Sequence, residues 1–195
     1  MTIRPTVTVS RMTLPRIGDL ASLPATAHPA LMAGSVAQVL ENWAHAADVA
    51  VVEIDPELAD TAAMSGAYGV PMAASANCVV VAGRRGGEER VAACVVRADT
   101  RADVNNLVKR RLDVRKASFL PMERAVKETG MEYGGITPVG LPLGPPQNWR
   151  LLVDAACLDI EVAVIGSGVR RSKLVLPGRR LGDLPGAEIV EGLGI

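Results

Sequence analysis

Six short apolar runs, at residues 49–54, 77–82, 91–97, 151–154, 161–165 and 173–176, recur along the chain, with stretches of helical spacing between several of them. Runs this short, rich in valine, leucine and isoleucine and bounded by turn residues, suit buried strands better than helices. The interleaving predicts a mixed α/β sheet flanked by helices. Ser35 is placed to cap a first helix whose Val36, Val39, Leu40 and Trp43 share one face, ending near His45. Asp55 and Pro56 open a second through Leu58, Ala62 and Met64, which the Gly69-Val70-Pro71 turn stops. Residues 83–90 read as a glycine-bearing loop joining the second and third strands into a hairpin. Thr100 with Asp103 resembles a capping box ahead of Val104, Leu107, Val108 and Leu112, and Pro121 and Gly130 delimit a short helix with Met122, Ala125 and Val126 inward.

A length of 195 residues is enough for one well-buried core, and no apolar run reaches the roughly 20 residues of a membrane helix. The front is different in kind: Pro5, Pro15 and Pro24 alternate with Arg4, Arg11 and Arg16, without the apolar core of a signal peptide. Residues 1–30 are therefore read as an extension and 31–195 as the domain. Three cysteines, Cys78, Cys94 and Cys157, lack CxxC spacing, which fits a reducing, cytoplasmic setting. With only His28 and His45, far apart, no Cys/His or HExxH set can be assembled from adjacent positions, so no metal is expected.

Twenty-one basic residues balance twenty-one acidic ones, which argues against broad wrapping of nucleic acid. The balance is uneven: residues 1–100 hold seven basic and ten acidic side chains, and 101–195 hold fourteen and eleven. Five aromatic residues are too few for base-stacking platforms. Any nucleic acid must be gripped locally by cations. Lys109-Arg110-Arg111 and Arg115-Lys116 complement the end of a helix as readily as they track phosphates. Arg170, Arg171 and Lys173, next to a glycine turn, are the better candidates for phosphate contact.

The chemistry concentrates in residues 130–142, where Gly134, Gly135, Pro138, Gly140 and Pro142 are too dense for regular structure. Glycines at 134 and 135 let a ligand approach main-chain N–H groups, and Pro138 restricts collapse, as in a pocket built from backbone; a plain structural turn has the same composition. Gly166-Ser167-Gly168 is a second glycine turn, and Arg171 in the third glycine position of a GxGxxG pattern argues against a nucleotide cofactor. Cys157 has no histidine near it in sequence to activate it. Asp154, at a strand end, fits either a substrate contact or a brace for loop N–H groups. Glu132 and Tyr133 fit either a specificity role or a solvated rim.

The run from Thr129 through Gly134-Gly135-Ile136-Thr137-Pro138 to Pro142, then Val153-Asp154, then Ile165-Gly166-Ser167-Gly168, resembles the YbaK/prolyl-tRNA editing-domain family over roughly residues 35–191. The resemblance implies a compact mixed, partly barrel-like sheet and an aminoacyl-tRNA deacylase without cofactor or metal. Its partner would be the acceptor end of a tRNA, with a synthetase as a further one. It implies a pocket lined by Gly134, Gly135, Ile136, Thr137 and Pro138, with Asp154, Gly166, Ser167 and Gly168 nearby. An aminoacyl ester is already activated, so positioned water and N–H donors at Gly134, Gly135 and Ile136 suffice; the Thr137 hydroxyl bonds substrate or braces the loop.

One departure stands out. The family carries a lysine at the start of the strand after the Gly-Val-Pro turn, and Asn77 occupies that place here. Asparagine donates hydrogen bonds but supplies no charge. Three readings stay open: Asn77 orients a different substrate, a cation such as Arg84, Arg85 or Lys116 substitutes in space, or the domain binds an aminoacyl-tRNA end without hydrolysing it. An unrelated small-molecule esterase on the same scaffold is a fourth. The size-based discrimination of small amino acids such as alanine, cysteine, serine or proline is worth only about 1 to 3 kcal/mol per methylene and is not written in the sequence.

Overall fold

The computed structural model describes residues 13–195; Arg4, Pro5 and Arg11 of the extension lie outside the described residues. Among the described residues nine strands are found: β1 (Leu23–Pro24), β2 (Ala50–Glu53), β3 (Ala76–Arg85), β4 (Glu88–Arg97), β5 (Ala117–Phe119), β6 (Arg150–Asp154), β7 (Ala163–Gly166), β8 (Ser172–Leu176) and β9 (Ala187–Val190). Helices α1 (Gly34–Asn42), α2 (Thr61–Tyr68), α3 (Lys109–Arg111), α4 (Met122–Thr129) and α5 (Ala155–Leu158) lie between them. The strands form an antiparallel sheet β1-β2-β8-β7 and a mixed sheet β5-β3-β4-β6-β9. A parallel bridge from Ser75 to Val164 joins β7's edge to the start of β3, so the sheets wrap into a partly barrel-like body, as the resemblance implied.

Period-two alternation explains three apolar layers. Val51, Ile165, Leu174 and Leu176 of one sheet face Val80, Ala93, Val95 and Val153 of the other, with Val36 and Leu40 of α1 completing this central core. The opposite faces are also covered. Val52, Val164 and Val175 pack with Met64 of α2, and Val81, Cys94 and Leu152 pack under Val108 and Leu112. Burial on both faces is why the strands read as continuous apolar runs.

Local chemistry moves several boundaries. The 83–90 segment is mostly strand, because Arg84 pairs with Glu89 and Arg85 with Glu88 across the ladder, leaving a two-residue turn at Gly86 and Gly87 with φ of 59° and 86°. The second helix does not open at Asp55. That carboxylate accepts from Glu57 N at 2.9 Å and caps only a 3-10 turn, whereas Asp60 accepts from Ala62 N and Ala63 N at 3.0 and 3.4 Å and starts α2. Thr100 is likewise not the cap of the next helical segment. Its hydroxyl donates to Arg97 O at 2.8 Å, and Asp103 accepts from Asn106 N and Leu107 N instead, opening a π-helical turn (Val104–Val108) that runs into α3. α1 stops at Asn42 because Trp43 swings out to donate its indole N–H to Asp183 O at 3.1 Å. No helix among the described residues is long and apolar enough to cross a membrane.

Candidate active site

The two glycine segments meet backbone to backbone. Gly168 N donates to Gly135 O at 2.8 Å, and Glu132 N donates to Gly168 O at 2.9 Å. A Cβ on Gly135 would sit 2.8 Å from Val169 N, and one on Gly166 would sit 2.7 Å from Ile136 O, distances that real side chains do not tolerate. Glycine at both positions is thus a requirement of close approach. Ser167 is fully buried and fastens the turn internally, with its Oγ 2.7 Å from Ser172 Oγ and donating to Ser172 O at 3.0 Å.

The main-chain donors divide. Gly135 N donates to Glu132 O at 2.9 Å and is spent within the loop. Among the described residues the N–H groups of Gly134 and Ile136 have no partner, and Gly134 lies on the surface with φ of 80°. Thr137 and Pro138 are buried, and Thr137 Oγ1 has no hydrogen-bond partner among the described residues, so its hydroxyl neither braces the loop nor reaches its outer face.

Lys173, grouped from sequence with Arg170 and Arg171, sits differently from them. On β8 it shares a face with Val175, and only 5% of it is exposed. Its Nζ donates to Ala59 O at 2.8 Å and reaches Gly134 O at 3.5 Å. Burial, reinforced by the Arg170 guanidinium and opposed by Asp60, pulls the ammonium from 10.5 down to about 8. Arg170 spans the rim: its N donates to Glu132 Oε2 at 2.6 Å, and its guanidinium donates to Pro56 O at 2.8 Å and Tyr133 O at 3.4 Å. Arg171 is exposed and donates to Ala30 O. Tyr133 stands out into solvent.

Asn77 joins this group from β3. Its Oδ1 accepts from Thr61 Oγ1 at 2.9 Å, at the head of α2. Continuing the parallel register of Ser75 with Val164 brings Asn77 level with Gly166, whose other neighbour is Lys173, so the two lie two strand spacings apart, about 10 Å. Both project from the face opposite the central core. Arg84, Arg85 and Lys116 do not stand in for a cation here. Arg84 and Arg85 lie seven and eight residues further along β3, about 25 Å away, paired with Glu89 and Asp113, and Lys116 lies beside Gly83. Asp154 is also elsewhere: it is buried and its Oδ2 accepts from Gly194 N at 3.0 Å, fastening the C-terminal segment. Cys157 is buried, and its thiol is pushed up to about 12 by desolvation first and Asp154 second, which leaves it inert.

The candidate site is the notch where the head of α2 and the Gly134 loop meet over Lys173 and Asn77, with Gly166 between those two roofed by the Gly135 and Ile136 carbonyls. Hollows of about 550 and 680 Å³ lie away from it, near Arg16 and Arg97 and at the β3–β4 turn. Its donors are a buried ammonium and two N–H groups without partners among the described residues, and its acceptors, Asn77 Oδ1 and the Ala59 and Gly134 carbonyls, are already engaged. Lys173 is the residue that motif reading misplaced. The signal for it was a lysine in phase with Val175 on a strand buried on both faces.

The sequence profile of the aminoacyl-tRNA editing domain matches residues 55–184, and the chain belongs to that family, in keeping with its likeness to YbaK-type proteins. Its class of activity is aminoacyl-tRNA editing. None of the curated proteins matches the chain significantly. Among solved structures, a protein proposed as a trans-editing enzyme for prolyl tRNA synthetase superposes with a TM-score of 0.67 at 20% identity, covering 81% of this chain and 94% of the other. A computationally designed epitope scaffold gives 0.66 at 19% identity, over 83% and 96%. A hypothetical protein gives 0.63 at 23%, over 74% and 90%. These likenesses establish the fold alone.

Proposed function

We propose that the protein is a trans-editing hydrolase of the cytoplasm that removes a wrongly attached small amino acid from the 3′ end of a tRNA. The observation that carries this reading is the pair of unpartnered N–H groups, Gly134 and Ile136, on a loop locked against the Gly166–Gly168 turn in an aminoacyl-tRNA editing domain. The oxygen of a water attacks the ester carbonyl carbon, and the C=O electron pair moves onto oxygen, where the two N–H groups face it. Collapse breaks the bond to the ribose oxygen. That oxygen takes up the proton lost by the water, relayed by the neighbouring ribose hydroxyl, and free amino acid and intact tRNA leave. Pro138 is buried beneath the loop and keeps its shape, and Arg170 and Arg171, beside it on the rim, are the cations this reading assigns to the terminal phosphates of the acceptor end. Neither guanidinium makes an ion pair among the described residues, which leaves both available to an anionic chain.

Single-turnover hydrolysis of tRNAs charged with alanine, cysteine, serine or proline tests the proposal, with Gly134→Val as control. Rapid deacylation of one member, abolished by Gly134→Val, is the expected result, because a valine at φ of 80° is strained and its Cβ would lie 3.0 Å from the Arg170 guanidinium. Binding of aminoacyl-tRNA with no hydrolysis of any member refutes it in favour of a noncatalytic binder, and ester hydrolysis indifferent to removal of the tRNA refutes it in favour of a small-molecule esterase.

A further inference from the structure

Among the described residues Lys173 is the only buried basic side chain, and no ion pair balances its charge. Taking an ammonium out of water is costly unless an anion or a full set of acceptors receives it. Here no carboxylate lies within ion-pair distance among the described residues. Asp60, the acidic group that acts on it, caps α2 through Oδ1 alone, which accepts from Ala62 N and Ala63 N, and its carboxylate stays beyond ion-pair distance of Nζ. The partners are two neutral carbonyls, one at 2.8 Å and one stretched to 3.5 Å, which leaves the third N–H unpaired. The stretched contact is to Gly134, whose own N–H is free. A cation with a spare donor, beside a loop that carries two main-chain N–H groups without partners among the described residues, is matched by an oxygen that becomes negative.

We propose that Lys173 is a catalytic residue: its ammonium donates to the ester carbonyl oxygen alongside the N–H groups of Gly134 and Ile136, and holds the negative charge that forms there. The inference rests on reading the notch as an aminoacyl-ester site. Lys173 stays protonated throughout; it transfers no proton and forms no bond to carbon. Asn77, neutral and engaged with Thr61, is then a neighbour that leaves the charge to come from β8 rather than β3. The charged groups facing Lys173 are Arg170 from the glycine turn and Asp60 from α2, with apolar Val52 opposite on β2. Burial holds the ammonium at about 8, so most of its charge is present at neutral pH and is lost as pH rises through that value.

The test compares native protein with Lys173→Met in single-turnover deacylation of the best-hydrolysed aminoacyl-tRNA, from pH 6 to 9.5, after subtracting spontaneous hydrolysis. Expected is a fall of about 100- to 1,000-fold in the saturating single-turnover rate constant with the half-saturating protein concentration little changed, as for loss of an oxyanion donor. The native rate should also decline on the alkaline side, and Lys173→Met should lack that decline. Should Lys173→Met fail to fold, the native alkaline decline and the charge-retaining Lys173→Arg, expected to keep more activity than Lys173→Gln, carry the test. Native activity with no alkaline decline, or Lys173→Met within threefold of native, overturns the role of Lys173 while leaving the editing reading intact. A native protein inactive on every charged tRNA overturns the editing reading itself.

Discussion

Replacing Lys173 by methionine isolates the energetic cost of a buried cation. In the unfolded chain the amine has its ordinary value of 10.5, and in the folded protein burial brings it to about 8. Between those values the unfolded state binds a proton that the folded state does not, so stability rises with pH across the window. Below about 8 both states are charged and the folded one bears the full penalty; above 10.5 both are neutral and the penalty has gone. At 1.36 kcal/mol per pH unit the fall amounts to roughly 3 kcal/mol, of which about 2 to 3 kcal/mol is regained between pH 7 and pH 10. Methionine has no such term. Urea unfolding of native protein and Lys173→Met at pH 7, 8, 9 and 10 should give a stability difference that shifts towards the native protein by that amount as pH rises. Subtracting the two curves cancels the tyrosines and other lysines. A difference independent of pH, to within about 0.5 kcal/mol, would refute the claim that folding desolvates this ammonium.

Three further outcomes follow from the packing. Gly166→Ala places a methyl group against the main-chain oxygens of Gly135 and Ile136, which cannot rotate away, and should cost about 1 to 3 kcal/mol in urea titration; an unchanged midpoint would contradict the close approach. Thr137→Val removes a buried hydroxyl without a partner among the described residues and should be neutral or stabilising by about 1 kcal/mol. A loss larger than that would reveal a bond the hydroxyl makes. Asp154→Ala frees Gly194 N and should destabilise by about 1 to 3 kcal/mol, with amide hydrogen exchange quickening at Arg101, Asp103 and Ile195, whose N–H groups pair the C-terminal segment with residues 101–103.

Layer order was legible because valine-rich runs and proline or glycine stops are local signals, and β2, β4, β6, β7 and β8 fall within a few residues of where those runs lie. The short strands β1, β5 and β9 were not. A strand of two to four residues has too few alternations to register, and β5 exists because Ala117 can lie across from Gly83, a tertiary fact. Helix starts shifted for a related reason: Asp55, Asp60, Thr100 and Asp103 are all competent caps, and the winner depends on which amides face it. At the site, the two glycine segments were legible by composition. Their docking on one another was not, and neither was the burial of Lys173, since a lysine two residues after a pair of arginines reads as one basic patch. Arg171 belongs to the turn ahead of β8 and faces solvent, whereas Lys173 lies within the strand, on the face it shares with Val175, where the head of α2 covers it.

The interlock of Gly135 with Gly166 and Gly168 bears on how the chain can fail. The joined segments are more than thirty residues apart in sequence, so the notch has no local precursor and forms only once β7 and β8 are paired and that long loop has closed. A partial opening that undocks the two turns would erase the donor array while leaving α1, α2 and most of the mixed sheet in place. Loss of activity would then precede loss of far-ultraviolet circular dichroism on gentle heating, and ligands that span both turns would raise the temperature of the first transition and leave the second nearly alone.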